Sequence, residues 1–181
     1  MRIENAFDVP APVEQAWRLL NDVPAVVPCM PGAELVETVG DDAWKARLHV
    51  KLGPIALQFV ADVTREEADA AERRAVLAVK AREAKGRGSA EATIESSLAP
   101  AAEGTHVALA TELALRGAVA QYGRGVVADV AARLTAQFAE CLARKLEASG
   151  DEPAPASRPI GGLRLLLGSL WRALRGRGGR R

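Results

Sequence analysis

Two histidines, two cysteines and a few hydroxyl-bearing side chains are the residues of this 181-residue chain that could do chemistry. A metal centre needs several His, Cys or carboxylate ligands converging on one point. His49 and His106 do not provide one, because both alternate onto the polar side of strand-like stretches. Cys29 and Cys141 are too few and too far apart to suggest a disulfide framework, and each reads as an isolated thiol. Cys29 is the one candidate nucleophile near an expected pocket mouth. With no histidine placed to activate it, a structural or merely exposed thiol is the expectation. The glycine-rich stretches GRGS and YGRGVV lack the spacing and strand-to-helix context of a phosphate loop. A protein that is not an enzyme, with no metal and no covalently bound cofactor, is the expectation.

Hydroxyls on apolar faces are more telling, because a buried hydroxyl has to find a hydrogen bond. Ser96 and Thr111 are two such residues, and each could bond backbone, water or a ligand carbonyl. Gln121 and Tyr122 stand beside Gly117, Gly123 and Gly125, where missing side chains would let a bulky ring approach the backbone.

The elements that must position these side chains are mostly strands. RIENAFDVPA reads as a first strand, and Pro12 to Leu20 as a short helix with proline in its first turn and Val13, Ala16, Trp17 and Leu20 on one side. A second short helix or turn, VPAVVPCMPG, ends at Pro31 and Gly32. WKARLHVKL then places Trp44, Ala46, Leu48, Val50 and Leu52 on one face, with Lys45, Arg47, His49 and Lys51 on the other. After a Gly-Pro turn, IALQFVADVT directs Ile55, Leu57, Phe59, Ala61 and Val63 inward. Three more strands are expected from Arg73 to Glu83, Gly88 to Leu98 and Thr105 to Arg116. Their inward residues would be Ala75, Leu77, Val79 and Ala81, then Ala90, Ala92, Ile94, Ser96 and Leu98, then Val107, Leu109, Thr111, Leu113 and Leu115. Short connections favour an antiparallel meander.

Residues 118 to 148 contain no proline, and Val126, Val130, Leu134, Phe138, Cys141, Leu142 and Leu146 recur at helical spacing. A long helix laid across a curved antiparallel sheet makes a two-layer α+β domain. The sheet's inner face is rich in alanine, which fills less space than leucine would. This predicts a cavity between the layers, lined by Leu48, Val50, Phe59, Ala92, Ile94, Leu113 and Val126 together with the polar candidates above.

The stretches VPAPVEQAWRLLNDVPAVVPCMPGAELVE, HVKLGPIALQFVADV and LRGAVAQYGRGVVADVAARLTAQF resemble the CoxG family of carbon monoxide dehydrogenase proteins, within the START-like, or SRPBCC, superfamily. The resemblance spans most of residues 3 to 148. It implies a helix-grip fold, in which the sheet wraps around the long C-terminal helix. It also implies association with a molybdenum hydroxylase of the carbon monoxide dehydrogenase type, recruitment of that enzyme to the membrane, and an isoprenoid quinone, menaquinone or ubiquinone, in an apolar cavity.

Beyond this domain, expected over residues 1–148, SGDEPAPASRP at 149–159 reads as an exposed linker, with three prolines and no apolar periodicity. Residues 160–181, IGGLRLLLGSLWRALRGRGGRR, form a basic tail. From Arg158 onward there are seven arginines and no acid, so a chain of net charge +1 has a body of −6. At about 100° per residue, Leu163, Leu166, Leu167, Leu170, Trp171 and Leu174 share one helical face, with Arg164, Arg172 and Arg175 beside it. Too interrupted to span a bilayer, which takes roughly 20 apolar residues, this pattern suits an interfacial helix on anionic lipids. The leucine face could instead dock on a partner protein or on the body. An RNA-binding reading of the terminal arginines and glycines leaves the leucines and Trp171 idle, so no nucleic acid partner is expected.

The N-terminal MRIENAFDVP carries no apolar signal region, so a cytoplasmic protein, peripheral on the inner face of the cell membrane, is expected. The expected function is non-enzymatic: to hold an apolar small molecule and link the hydroxylase to the respiratory chain. An assembly factor without a ligand and a START-like cyclase or hydrolase are the alternatives. The second lacks titratable groups among the inward positions named above.

Overall fold

The computed structural model describes residues 1–52 and 55–150, so the tail and residues 151–159 of the expected linker lie outside the described residues. Alternation of apolar and polar residues produces seven strands: β1 (Arg2–Val9), β2 (Ala33–Gly40), β3 (Ala43–Leu52), β4 (Ile55–Asp69), β5 (Arg74–Glu83), β6 (Gly88–Ala101) and β7 (Gly104–Gly117). They form one antiparallel sheet in the order β1-β7-β6-β5-β4-β3-β2. The expected meander runs from β2 to β7. β1 is added beside β7, with Ile3 opposite Thr111 and Val9 opposite Thr105.

The first and second strands therefore lie at opposite edges of the sheet. The chain crosses between them through α1 (Val13–Asn21), α2 (Val23–Val26) and a 3-10 turn at Val27–Cys29. Asp22 ends α1 and starts α2, its Oδ1 accepting the Ala25 N–H at 3.1 Å. The crossing closes at Gly32, whose φ of +77° suits glycine and whose missing side chain leaves room for the His49 carbonyl.

Six strands are expected from the alternation and seven are present. The additional one, β2, is an edge strand with register shifts at Leu35/Glu37 and Thr38/Gly40. Each shift turns the following side chain out of phase, leaving Val36 and Val39 about half exposed.

Residues 118 to 148, expected as a long helix with a loosened start at Gly123 and Gly125, divide into a 3-10 turn at Ala118–Gln121 and the 27-residue helix α3 (Arg124–Gly150). The helix continues through Ser149 and Gly150, two residues into the expected linker. Its second half is firmly docked: Phe138, Leu142 and Leu146 are buried against Val9, Val13, Ala16, Val26, Leu98 and Val107. Phe138 meets Phe7 edge-on, with ring centroids 6.2 Å apart. Leu142 is 1% exposed, and burial of such a side chain is worth about 1.5–3 kcal/mol.

The expectation of two isolated thiols is overturned in this cluster. Cys29, at the end of its 3-10 turn, is joined to Cys141 of α3 by a disulfide across 112 residues of sequence. No free cysteine remains among the described residues. Sequence distance concealed the pair because the crossover and the last helix meet only in the folded domain.

Candidate functional site

Pairing of the central strands gathers the expected ligand residues on one sheet face. Leu48 lies opposite Phe59, and Val50 opposite Leu57. Ala92 lies between Val79 and Leu113, while Ile94 lies between Leu77 and Thr111. Ser96, opposite Leu109, directs its Oγ to the Ala75 carbonyl at 3.4 Å, a long bond to backbone. Thr111 makes no side-chain hydrogen bond among the described residues.

This inner face carries two packed clusters. One is the cluster around Leu142 and the disulfide. The other joins Leu57, Phe59, Ala61, Ala81 and Val119, with Leu48, Val79, Ala90, Leu115 and Tyr122 packed against it. Ala92, Ile94 and Leu113 belong to neither and stay half-buried. The chain is tied to the sheet by Tyr122 in one cluster and by Phe138 in the other, about 24 Å apart at helical rise. Between these anchors no α3 residue is buried, and Val126, expected to face inward, is 45% exposed. The first half of α3 therefore packs loosely, and the apolar side chains of the sheet that lie outside the two clusters stay half-buried as an apolar band.

Phe59 is a core side chain, 9% exposed, and Leu48 supports it. Gly117 ends β7 with φ +75° and faces Gly88 in the register. A side chain on Gly88 would run into Val119, so the glycine pair lets the 3-10 turn sit down on the sheet. That seating brings Tyr122 onto the second cluster, half-buried, while Gln121 stays exposed.

None of the strand positions named as inward is titratable, but the next inward step of β5 is Glu83. It lies opposite Phe59 on the inner face, and its side chain is fully enclosed. Its carboxylate accepts from the backbone N–H groups of Lys85 and Arg87, at 2.8 and 3.1 Å, and from Arg87 Nη2 at 2.9 Å. The Arg87 guanidinium, with those backbone donors, holds the Glu83 carboxyl down at about 2. Arg87 Nη2 also donates to the Ala56 carbonyl at 2.8 Å, bridging the β5–β6 turn to the start of β4. The period-two pattern of Ala75, Leu77, Val79 and Ala81 reaches Glu83 one step later. A carboxylate at an inward step was the available signal.

The histidines face outward as expected: His49 is exposed, and His106 Nδ1 lies 2.7 Å from Asp8 Oδ1. No group of three or more His, Cys, Asp or Glu side chains able to hold a metal occurs among the described residues. Two surface clefts occur among the described residues, the first away from the apolar band and the second reaching its edge. One of about 430 Å³ is bounded by Arg18, Asp22, Asp41, Trp44 and Arg65, where the Arg65 guanidinium stacks 5.4 Å from the Trp44 ring. The other, of about 390 Å³, is centred on outward Lys80, Glu91, Thr93 and Glu112, and of the expected ligand positions it touches only Ala92 and Leu113. No helix among the described residues is long and apolar enough to cross a membrane. The tail positions Leu163, Arg164, Leu166, Leu167, Leu170, Trp171, Arg172, Leu174 and Arg175 lie outside the described residues.

The fold is START-like. A conserved protein from Geobacillus kaustophilus superposes with a TM-score of 0.73 at 22% identity, covering 82% of this chain and 97% of its own. A START superfamily protein from Mycobacterium smegmatis gives 0.55 at 15% identity, over 82% of this chain and 98% of its own. The Zhui aromatase/cyclase from Streptomyces gives 0.59 at 17% identity, over 90% and 99%. No curated protein matches the sequence. A sequence profile for CoxG of carbon monoxide dehydrogenase matches residues 6–147.

Proposed function

The chain belongs to the CoxG family of carbon monoxide dehydrogenase proteins, and on that premise we propose that it is a non-enzymatic peripheral membrane protein that holds an isoprenoid quinone and links a molybdenum hydroxylase to the membrane respiratory chain. The observation that carries this reading is the half-buried band of Ala92, Ile94, Thr111 and Leu113, lying outside both packed clusters. A flat ring with an apolar chain would complete the burial that these side chains and the first half of α3 lack. Burial of apolar area is worth roughly 25 cal/mol per Å². Thr111, whose hydroxyl makes no hydrogen bond among the described residues, and Tyr122, ahead of α3 on the second cluster, supply polar contacts.

An enzymatic role finds little support in the inward titratable group. A general acid or base works best with a pKa near the operating pH, and Glu83 is held at about 2 by Arg87 and two backbone donors. In this reading the basic amphipathic tail attaches the domain to anionic lipid at the cytoplasmic face, and the linker gives it reach. The Cys29–Cys141 bond would then sit in a reducing compartment. Thiol exchange requires access to sulfur, and Cys29 is only 3% exposed.

The reading is tested by reconstitution. A hydroxylase of the carbon monoxide dehydrogenase type is mixed with anionic vesicles containing menaquinone, with and without the full chain. The expected result is co-sedimentation of the hydroxylase and substrate-dependent quinone reduction only when the chain is present. Equal quinone reduction without it would contradict the proposal.

A further inference from the structure

One polar atom stands out at the end of the band where the 3-10 turn is seated. Arg87 Nε is buried and has no hydrogen-bond partner among the described residues. One arm of its guanidinium is held: Nη2 donates to Glu83 Oε1 at 2.9 Å and to the Ala56 carbonyl at 2.8 Å. Glu83 is itself immobilised by the backbone N–H groups of Lys85 and Arg87. The Nε–H is thus a donor held in place before any ligand arrives, an arrangement that lowers the ordering cost of binding. Buried donors without acceptors are rare in folded proteins, and leaving one unmade is costly, more so on a charged group.

The surroundings define what could meet this donor. Glu83 lies on the inner face opposite Phe59 of the second cluster, and the Arg87 guanidinium is bonded to its carboxylate. Tyr122 is close enough for its phenol to bear on the charge of Arg87. The Arg87 carbonyl accepts the Val119 N–H at 3.3 Å, tying the same residue to the turn that carries Tyr122. The Arg87 charge is already balanced by Glu83, so an anionic ligand would bring a second negative charge beside a buried carboxylate. A neutral acceptor oxygen on a planar ring meets no such repulsion.

We propose that Arg87 is the polar anchor of the apolar site, its Nε–H donating to a ring carbonyl oxygen of the ligand, with Glu83 as the residue that positions it. This rests on the quinone-site reading above and names the chemistry by which the site would select an oxygenated ring over a plain hydrocarbon. Arg87→Lys keeps a cation for Glu83 and removes the Nε–H.

The experiment uses the full chain, a short-chain menaquinone analogue, and the corresponding alkylnaphthalene that lacks both ring carbonyls. Affinities are measured for both probes with wild type and Arg87→Lys, and the melting temperature of each protein is recorded. The expected result is a loss of about tenfold or more in quinone affinity for the variant, with naphthalene affinity held within about twofold. On the wild-type protein, the Arg87 Nε–H resonance, assigned by through-bond correlation to its own side chain and backbone, should shift with the quinone and stay in place with the naphthalene. This second readout holds even if the variant is poorly folded. Binding of both probes with no shift at Nε–H, or an equal loss for both in a folded variant, overturns the anchor and leaves the apolar site standing. Failure of wild type to bind either probe overturns both.

Discussion

Substituting Ala92 by phenylalanine separates an open apolar site from a closed core, because the two make opposite demands on one position. Ala92 lies in the middle of the sheet between Val79 and Leu113, half-buried and outside both clusters. Phenylalanine suits a central strand, so the strand itself should form. If the inner face beneath α3 were already packed, the added ring would force neighbours apart at a cost of about 1–3 kcal/mol. At about 2–4 °C per kcal/mol for a protein of this size, the melting temperature would fall by about 2–12 °C. If the band is free to accept a ring, the phenyl group would gain part of the roughly 1.5–3 kcal/mol available to a buried aromatic side chain. The melting temperature would then hold or rise while the ligand is displaced. The assay is thermal unfolding without ligand, paired with quenching of Trp17 and Trp44 by a menaquinone analogue in a Trp171→Phe background. Lost binding with unchanged or raised stability is expected. Retained binding with a sharply lowered melting temperature would refute the reasoning.

Removing the disulfide with the paired substitutions Cys29→Ala and Cys141→Ala should cost about 2–5 kcal/mol in denaturant unfolding, since the bond closes a loop of 112 residues; an unchanged midpoint would mean that the pair contributes nothing. Glu83→Gln should flatten the acid side of the stability profile. The folded carboxyl is held at about 2 against an ordinary 4.5, so the unfolded chain takes up the proton first. Stability from this group is full above about pH 4.5 and is lost as pH falls toward 2, and wild type and variant should converge across that window. Deleting residues 158–181 should release the protein from anionic vesicles, and raising salt should weaken binding of the full chain by screening its arginines; equal sedimentation of the truncated form would contradict an interfacial tail.

Much of the sheet was legible because its physics is local. The alternation in WKARLHVKL and IALQFVADVT set the inward faces of β3 and β4, and the pairing of Leu48 with Phe59 follows that pattern. β2 was not legible, because its two register shifts interrupt the alternation at Val36 and Val39. Pairing of β1 with β7 joins chain regions about 100 residues apart, where no short connection points the way. The same distance hid the Cys29–Cys141 bond.

In the candidate site, Ala92, Ile94 and Thr111 were placed on one face by periodicity, and the structure keeps them together. The apolar stripe of α3 was read as running from Val126 to Leu146. Its docking is not uniform: Phe138, Leu142 and Leu146 are buried, whereas Val126 is 45% exposed. Glycines at 117, 123 and 125 hinted at a change at the helix start, but only the seating of Val119 against Gly88 shows where the chain is pinned. Glu83 escaped because a carboxylate at an inward step looks like the end of a strand. Its burial becomes tolerable only with Arg87, four residues later in the next turn.

The central claim, that this fold holds an isoprenoid quinone between the sheet and α3, is tested most directly by native mass spectrometry of the full chain purified from a menaquinone-containing host. The prediction is a bound species heavier than the protein by the mass of one menaquinone, released on activation and reduced in the Ala92→Phe variant. A spectrum of bare protein under gentle conditions, unchanged when menaquinone is added in excess, would contradict it.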